Sequence, residues 1–119
     1  MKLIKIKINN FFEKCKQRGI NIVGYGAPAK ATTIINYLDL SNNKLKFIID
    51  KNPLKHKKFI PGTNIQILGP EYINVKKFKY LFNFAWNFIN EILSQQKKFI
   101  RSGGKILNPI PKFKIFHNK

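Results

Sequence analysis

Four short stretches of this chain carry residue types that could do chemistry. The first is "GYGAPAK", Gly24 to Lys30, directly after the β-branched run "INIVG". Gly24-Tyr25-Gly26-Ala27-Pro28-Ala29 matches G-x-G-x-x-A, the pattern of a strand-to-helix corner that receives a phosphate. Its glycines allow a tight turn and close backbone approach, and Ala29 lets helix and strand pack closely. Pro28 presets φ at the helix start, so the first-turn N–H groups face outward at the positive end of the helix dipole. Lys30 adds a cation where that dipole disfavours one, at a cost of about 0.3–1 kcal/mol that a bound anion would offset. The corner is thus read as a site for a phosphate-bearing ligand, and the competing reading has Lys30 in plain solvent.

The second stretch ends on Asp50, which closes the run "LKFIID" 24 residues after Gly26. An acid at that place binds ribose hydroxyls in dinucleotide sites, which makes an NAD-type module the natural competitor. The other reading has Asp50 capping the "KNP" turn that follows it. Trp86 and Asn87 open a third stretch, "WNFINEI", where Trp86 packs at a helix start and Asn87 either caps the helix or touches ligand. The fourth, "GGKILNPIP", is glycine- and proline-bounded.

No catalytic set emerges. The two histidines, His56 and His117, lie in a lysine-rich loop and in the tail. Glu71 and Glu91 have no partner acid at a meaningful spacing, so neither paired carboxylates nor a nucleophile with its base can be argued. Cys15 is the single cysteine, so an internal disulfide and a Cys/His metal cluster are both excluded.

The elements that must position these residues follow from periodicity. Ile4, Ile8, Phe11, Phe12 and Cys15 fall at helical spacing, and Gly19 ends that helix. Ile20–Gly24 reads as a strand. Ala27, Ala31, Ile34, Ile35 and Leu38 form a helical stripe, and Leu45–Asp50 a second strand. "NPLKHKKFIPGTN" reads as loop, Ile65–Leu68 as a third strand, and Pro70 as the opening of a helix running to about Lys77. Tyr80–Ala85 is a fourth strand, Trp86–Ile100 a helix stopped by Gly103 and Gly104, and "KILNPIP" a fifth strand. "KFKIFHNK" reads as a loose basic end. Strands alternating with helices predict a single α/β domain over residues 1–119. It is a Rossmann-like, three-layer arrangement with a mostly parallel sheet of about five strands and the first strand central.

The chain has 119 residues and a net charge of +18, with 44% hydrophobic residues. The charge invites nucleic acid, yet only Arg18 and Arg101 are arginines, and the lysines are scattered. Abundant Lys, Ile and Asn reflect a bias toward A/T-rich codons, so the expectation is a solvated basic surface with no specific nucleic acid as partner. No apolar run reaches the roughly 18 residues of a membrane span. "MKLIKIKINN" lacks the continuous apolar stretch of a signal peptide. The expectation is a cytoplasmic protein without membrane contact.

"GYGAPAKATTIINY", "IIDKNPLKHKKFIPGTNIQI", "FAWNFINEI" and "GGKILNPIP" occur in this order, and together they resemble the C-terminal domain of the sugar C-methyltransferases. The resemblance covers about Phe11 to Pro111. These enzymes use S-adenosylmethionine to methylate a carbon of a nucleotide-linked deoxysugar. Their pattern is a zinc-binding region, a central methyltransferase domain that carries the cofactor and the catalytic base, and this Rossmann-like domain, which helps bind the nucleotide-sugar. Tyr25, Ala27, Lys30, Thr33 and Asn36 match the first motif, Asp50, Asn52, Pro53 and Lys55 the second, and Trp86, Asn87 and Glu91 the third. Ala31 stands where the family often has glycine, His56-Lys57 replaces a usual Gln-Gly pair, and Asn64 replaces a usual histidine.

The resemblance implies a nucleotide-sugar-binding domain with substrate contacts from Tyr25, Gly26, Ala27, Lys30, Thr33, Asp50 and Asn87. It implies no catalytic or metal residues and no cofactor in this chain, with S-adenosylmethionine expected only on a missing methyltransferase domain. The chain is then a detached or truncated member, inactive alone, whose partner is a separately encoded methyltransferase domain. A free-standing NAD-type module and a non-catalytic interaction domain are the alternatives.

Overall fold

The computed structural model of the chain describes residues 2–27, 31–40, 44–73, 77–110 and 112–118. Helix α1 spans Lys2–Gln17 and ends as the stripe predicts, with Gly19 at φ +69° providing the left-handed stop. Strand β1, Ile22–Tyr25, is buried along its whole length. Helix α2 covers Ala31–Tyr37. Strands β2 (Ile48–Ile49) and β3 (Ile67–Leu68) are short, β4 is Tyr80–Asn83 and β5 is Lys105–Asn108.

With Lys114–Phe116 as β6, the six strands order as β3-β2-β1-β4-β5-β6, with β1 central and the first five parallel. This is the strand order of the doubly wound Rossmann fold, here with the last strand antiparallel, and its direction of winding reverses between β1 and β4. Period-two alternation divides the core. Ile22, Ile48, Phe82 and Leu107 face α1 and α2, where they meet Ile8, Phe12, Ala31 and Ile35. Their neighbours Val23, Ile49, Leu81 and Ile106 face the other layer, with Ile92 of α3 (Ile89–Gln95) and Phe99 of α4 (Lys97–Arg101). Strands covered on both faces read as continuous apolar runs, which is why "FIID" and "YLFNF" were legible as strands.

Four expectations change. The tail is not loose: Lys114–Phe116 forms β6, antiparallel to β5 through Ile106–Phe116 and Leu107–Ile115. The alternation in "KFKIF" sends Phe113 and Ile115 to one face and Phe116 to the other, so the sheet has six strands. The helix expected over 70–77 is a three-ten turn at Pro70–Tyr72, ended by extended Ile73 (φ −70°, ψ 118°); residues 74–76 lie outside the described residues. The helix expected over Trp86–Ile100 is divided into a three-ten turn at Trp86–Phe88, α3 and α4. The second break falls at Gln96 (φ −106°, ψ 27°), whose buried side chain turns to the Tyr25 hydroxyl. Finally, β2 is shorter than Leu45–Asp50. Parallel ladder bonds nevertheless run from Lys46 to Asp50, including Lys46 N–H to Ile22 O and Asp50 N–H to Leu68 O.

Candidate functional site

The carboxyl ends of β1, β2 and β4 meet at the reversal point. Gly24 lies inside β1 and not in the turn. A Cβ there would sit 2.8 Å from both Ile48 Cγ1 and Phe84 Cε2, so this glycine serves the packing of the sheet. The turn belongs to Gly26, at φ +83°, where a Cβ would come within 3.1 Å of Ala85 Cβ. Gly26 thus lets the loop after β1 lie against the loop after β4.

Asp50 closes this corner. Its Oδ2 accepts the Ala27 N–H at 2.8 Å, and its Oδ1 accepts the Asn52 N–H at 2.8 Å. The second bond is the Asx turn that the capping reading expects, and the first reaches across to the glycine loop. The adjoining loop is itself well tied. Asn52 Oδ1 accepts the Leu54 N–H at 3.0 Å and caps the three-ten turn Pro53–Lys55. His56 Nε2 lies 2.7 Å from Asp50 O. Lys55 returns from that turn and donates from Nζ to Ala27 O at 2.6 Å, with Asp50 Oδ2 at 3.8 Å. Ala27 is therefore held at both ends of its backbone, N–H by Asp50 and C=O by Lys55.

On the other side, β4 and β5 end on a buried amide pair. Asn83 is fully buried; its Nδ2 donates to Asn108 Oδ1 at 2.9 Å and to Ala85 O at 3.2 Å, and its Oδ1 accepts the Ala85 N–H at 2.9 Å. Asn108 Nδ2 donates onward to Ile110 O at 3.1 Å. The loops after β1, β2, β4 and β5 are thus fixed by side chains from strand ends.

Of the residues expected at the site, Tyr25, Gly26, Ala27 and Asp50 come together. Tyr25 is 5% exposed, with its hydroxyl 3.4 Å from Gln96 Nε2. Burial pushes its phenol above the ordinary range, opposed by the Gln96 hydrogen bond and reinforced by the Asp50 charge. Asn87 is exposed in the three-ten turn after β4, while the cap positions fall on Ala85 and Phe88. Thr33 is exposed on α2. Lys30 lies outside the described residues, together with Pro28 and Ala29. Sequence reasoning did not place Lys55, Asn83 or Asn108 in the site. The signal for the last two was an amide inside an apolar strand, "LFNF" and "ILNP".

These features define a Rossmann-type α/β domain with its glycine corner at the reversal point of the sheet. A family model described as "C-methyltransferase C-terminal domain" matches residues 1–111, and the chain belongs to that family. The C-methyltransferase NovU of Streptomyces niveus is 33% identical to it over 97 residues, an alignment that covers 82% of this chain and 23% of that protein. The chain thus spans about a quarter of that curated relative's length. Among solved structures, UDP-D-quinovosamine 4-dehydrogenase from Vibrio fischeri superposes with a TM-score of 0.54 at 22% identity. That match covers 78% of this chain and 79% of the other, and it establishes the fold alone.

Proposed function

We propose that this domain serves a sugar C-methyltransferase by holding a nucleotide-linked sugar at the carboxyl edge of its sheet. The methyl donor S-adenosylmethionine and the base of the reaction belong to a separate methyltransferase domain, which is the partner of this one. The observation that carries the reading is the corner itself. A positive-φ glycine directly after the central strand, at the reversal point, opens the crevice where ligands of such sheets sit. Membership in a C-methyltransferase family supports the ligand class that the sequence resemblance implies.

The state of Asp50 favours this reading over an NAD-type module. Each Asp50 oxygen already accepts one N–H, from Ala27 or Asn52, and the side chain is only 13% exposed, so little of the carboxylate faces outward for a ribose. The same argument weighs against the ribose of S-adenosylmethionine at this acid.

Calorimetric titration tests the reading. The protein is titrated at about 0.15 M salt, where the Debye length is about 8 Å and the general attraction of a +18 chain for phosphate is damped. Saturable, one-to-one binding of a nucleoside-diphosphate sugar, tighter than that of the diphosphate alone, is expected. Preference for NAD, or heat that tracks phosphate charge only, would refute it. Incubated alone with labelled S-adenosylmethionine and sugar nucleotides, the chain should yield no labelled sugar.

A further inference from the structure

The described part of the glycine corner has few N–H groups to offer an anion. The Gly26 N–H donates to Ile49 O at 2.7 Å, and the Ala27 N–H is taken by Asp50. What the corner does present is an ammonium. Lys51, Lys57 and Lys58 of the same loop are exposed, but Lys55 is half-buried and pinned at its far end. Tying down a lysine side chain costs rotamer freedom, so a held ammonium is a specific feature among the exposed ones of this loop. Among the described residues, Lys55–Asp50 is the one lysine–carboxylate ion pair. An ammonium has three donors. One goes to Ala27 O, and Asp50 Oδ2 at 3.8 Å lies beyond hydrogen-bond reach. At 39% side-chain exposure, Lys55 keeps donors for a ligand.

We propose that Lys55 takes a phosphate oxygen of the bound nucleoside diphosphate, its ammonium aimed at the glycine corner by Ala27 O and Asp50. This rests on the nucleotide-sugar reading and names the residue that recognises the diphosphate. Asp50 does not repel the anion strongly, because two N–H groups and the Lys55 charge already balance its carboxylate. The recognised group is a diphosphate, irrespective of base or sugar.

The test compares wild type, Lys55→Met and Lys55→Gln with Lys46→Met. Lys46 lies before β2, toward the opposite end of the strands, and its loss lowers the net charge equally. UDP-glucose, dTDP-glucose and inorganic pyrophosphate are titrated into each protein, and circular dichroism verifies folding. Both Lys55 variants should bind the sugar nucleotides and pyrophosphate roughly 10- to 100-fold more weakly than wild type, the factor for a hydrogen bond to a charged group. Lys46→Met should stay within about 2-fold, as expected for a screened remote charge. If sugar nucleotides bind wild type and the Lys55 variants equally, the role of Lys55 is refuted while the nucleotide-sugar reading stands. If pyrophosphate binds in a Lys55-dependent way and no sugar nucleotide binds more tightly, the phosphate contact stands and that reading falls. Binding of none of the three refutes both. Lys55→Gln keeps a donor for Ala27 O, so it separates loss of charge from loss of the backbone tie if Lys55→Met fails to fold.

Discussion

The carboxylate of Asp50 reaches across the end of the sheet to the backbone N–H of Ala27, 2.8 Å from Oδ2. The loop after β2 is thereby fastened to the loop after β1 without any ligand. Asp50→Asn tests that tie, because an amide can accept with its one oxygen but not with its nitrogen. One of the two N–H groups should lose its acceptor, and Lys55 its counter-charge. We expect a loss of about 1–3 kcal/mol in unfolding free energy, the cost of a part-buried donor left unmade. Urea unfolding would measure it. A variant as stable as wild type would show that water replaces the tie at no cost.

The three glycines Gly24, Gly26 and Gly62 should respond to alanine in graded fashion. Gly62 is at φ +76° with nothing within 4 Å of a Cβ, so Gly62→Ala meets only the left-handed backbone penalty of about 1–2 kcal/mol. Part of that is returned by a stiffer unfolded chain. Gly26→Ala adds the 3.1 Å approach to Ala85 and should cost more. Gly24→Ala meets Ile48 and Phe84 at 2.8 Å inside the buried central strand and should cost most. Thermal unfolding of the three variants gives the order, and equal costs for all three would rule out the packing role of Gly24.

Much of this architecture was legible because buried parallel strands are written as apolar runs between glycines and prolines. β1, β2, β4 and β5 could be read that way, and their order followed from the alternation with helices. β6 was missed because its short alternation of lysines with apolar residues follows two prolines and reads as a solvated basic tail. The division of the last long helix was missed because Gln96 sits where the helical stripe predicts continuity. The glycine corner and Asp50 were legible as a motif. Which glycine turns the chain was not, since Gly24 and Gly26 differ only in what lies across from them. Lys55 matches the second motif, but its place at the glycine corner was not legible among the lysines of its loop and is set by the position of its Nζ.

The Asn83–Asn108 pair should be strongly coupled. Replacing Asn83 by Leu leaves the Ala85 N–H and Asn108 Oδ1 without their partners in a buried setting. A loss of about 2–6 kcal/mol follows from two such groups. Asn108→Leu should be similarly damaging, because one N–H of Asn83 Nδ2 and the Ile110 carbonyl lose their partners. In the double variant both amides are gone, so its cost should be less than the sum of the singles by about 0.5–3 kcal/mol. Additive costs in that cycle would mean that the two amides act independently.

Alkaline pH should weaken the fold in a defined window. Burial raises the Cys15 thiol, against a smaller opposing pull from Arg18, and it raises the phenols of Tyr25 and Tyr80 as well. For each, the folded state favours the neutral form. The unfolded chain therefore releases its proton first, and the free energy of unfolding falls as pH rises. These contributions are fully present below the unfolded values, about 8.5 for cysteine and 10 for tyrosine. They are lost as pH climbs from there through the raised folded values. Stability should thus be flat with respect to these groups near pH 7 and decline above about pH 8.5. Cys15→Ala should remove the earliest part of that decline, and Tyr25→Phe a later part near pH 10 and above, where it also removes the contact with Gln96. Urea midpoints measured at intervals from pH 7 to 11 would resolve the two steps. An unchanged pH profile in both variants would show that neither group is held neutral by the fold.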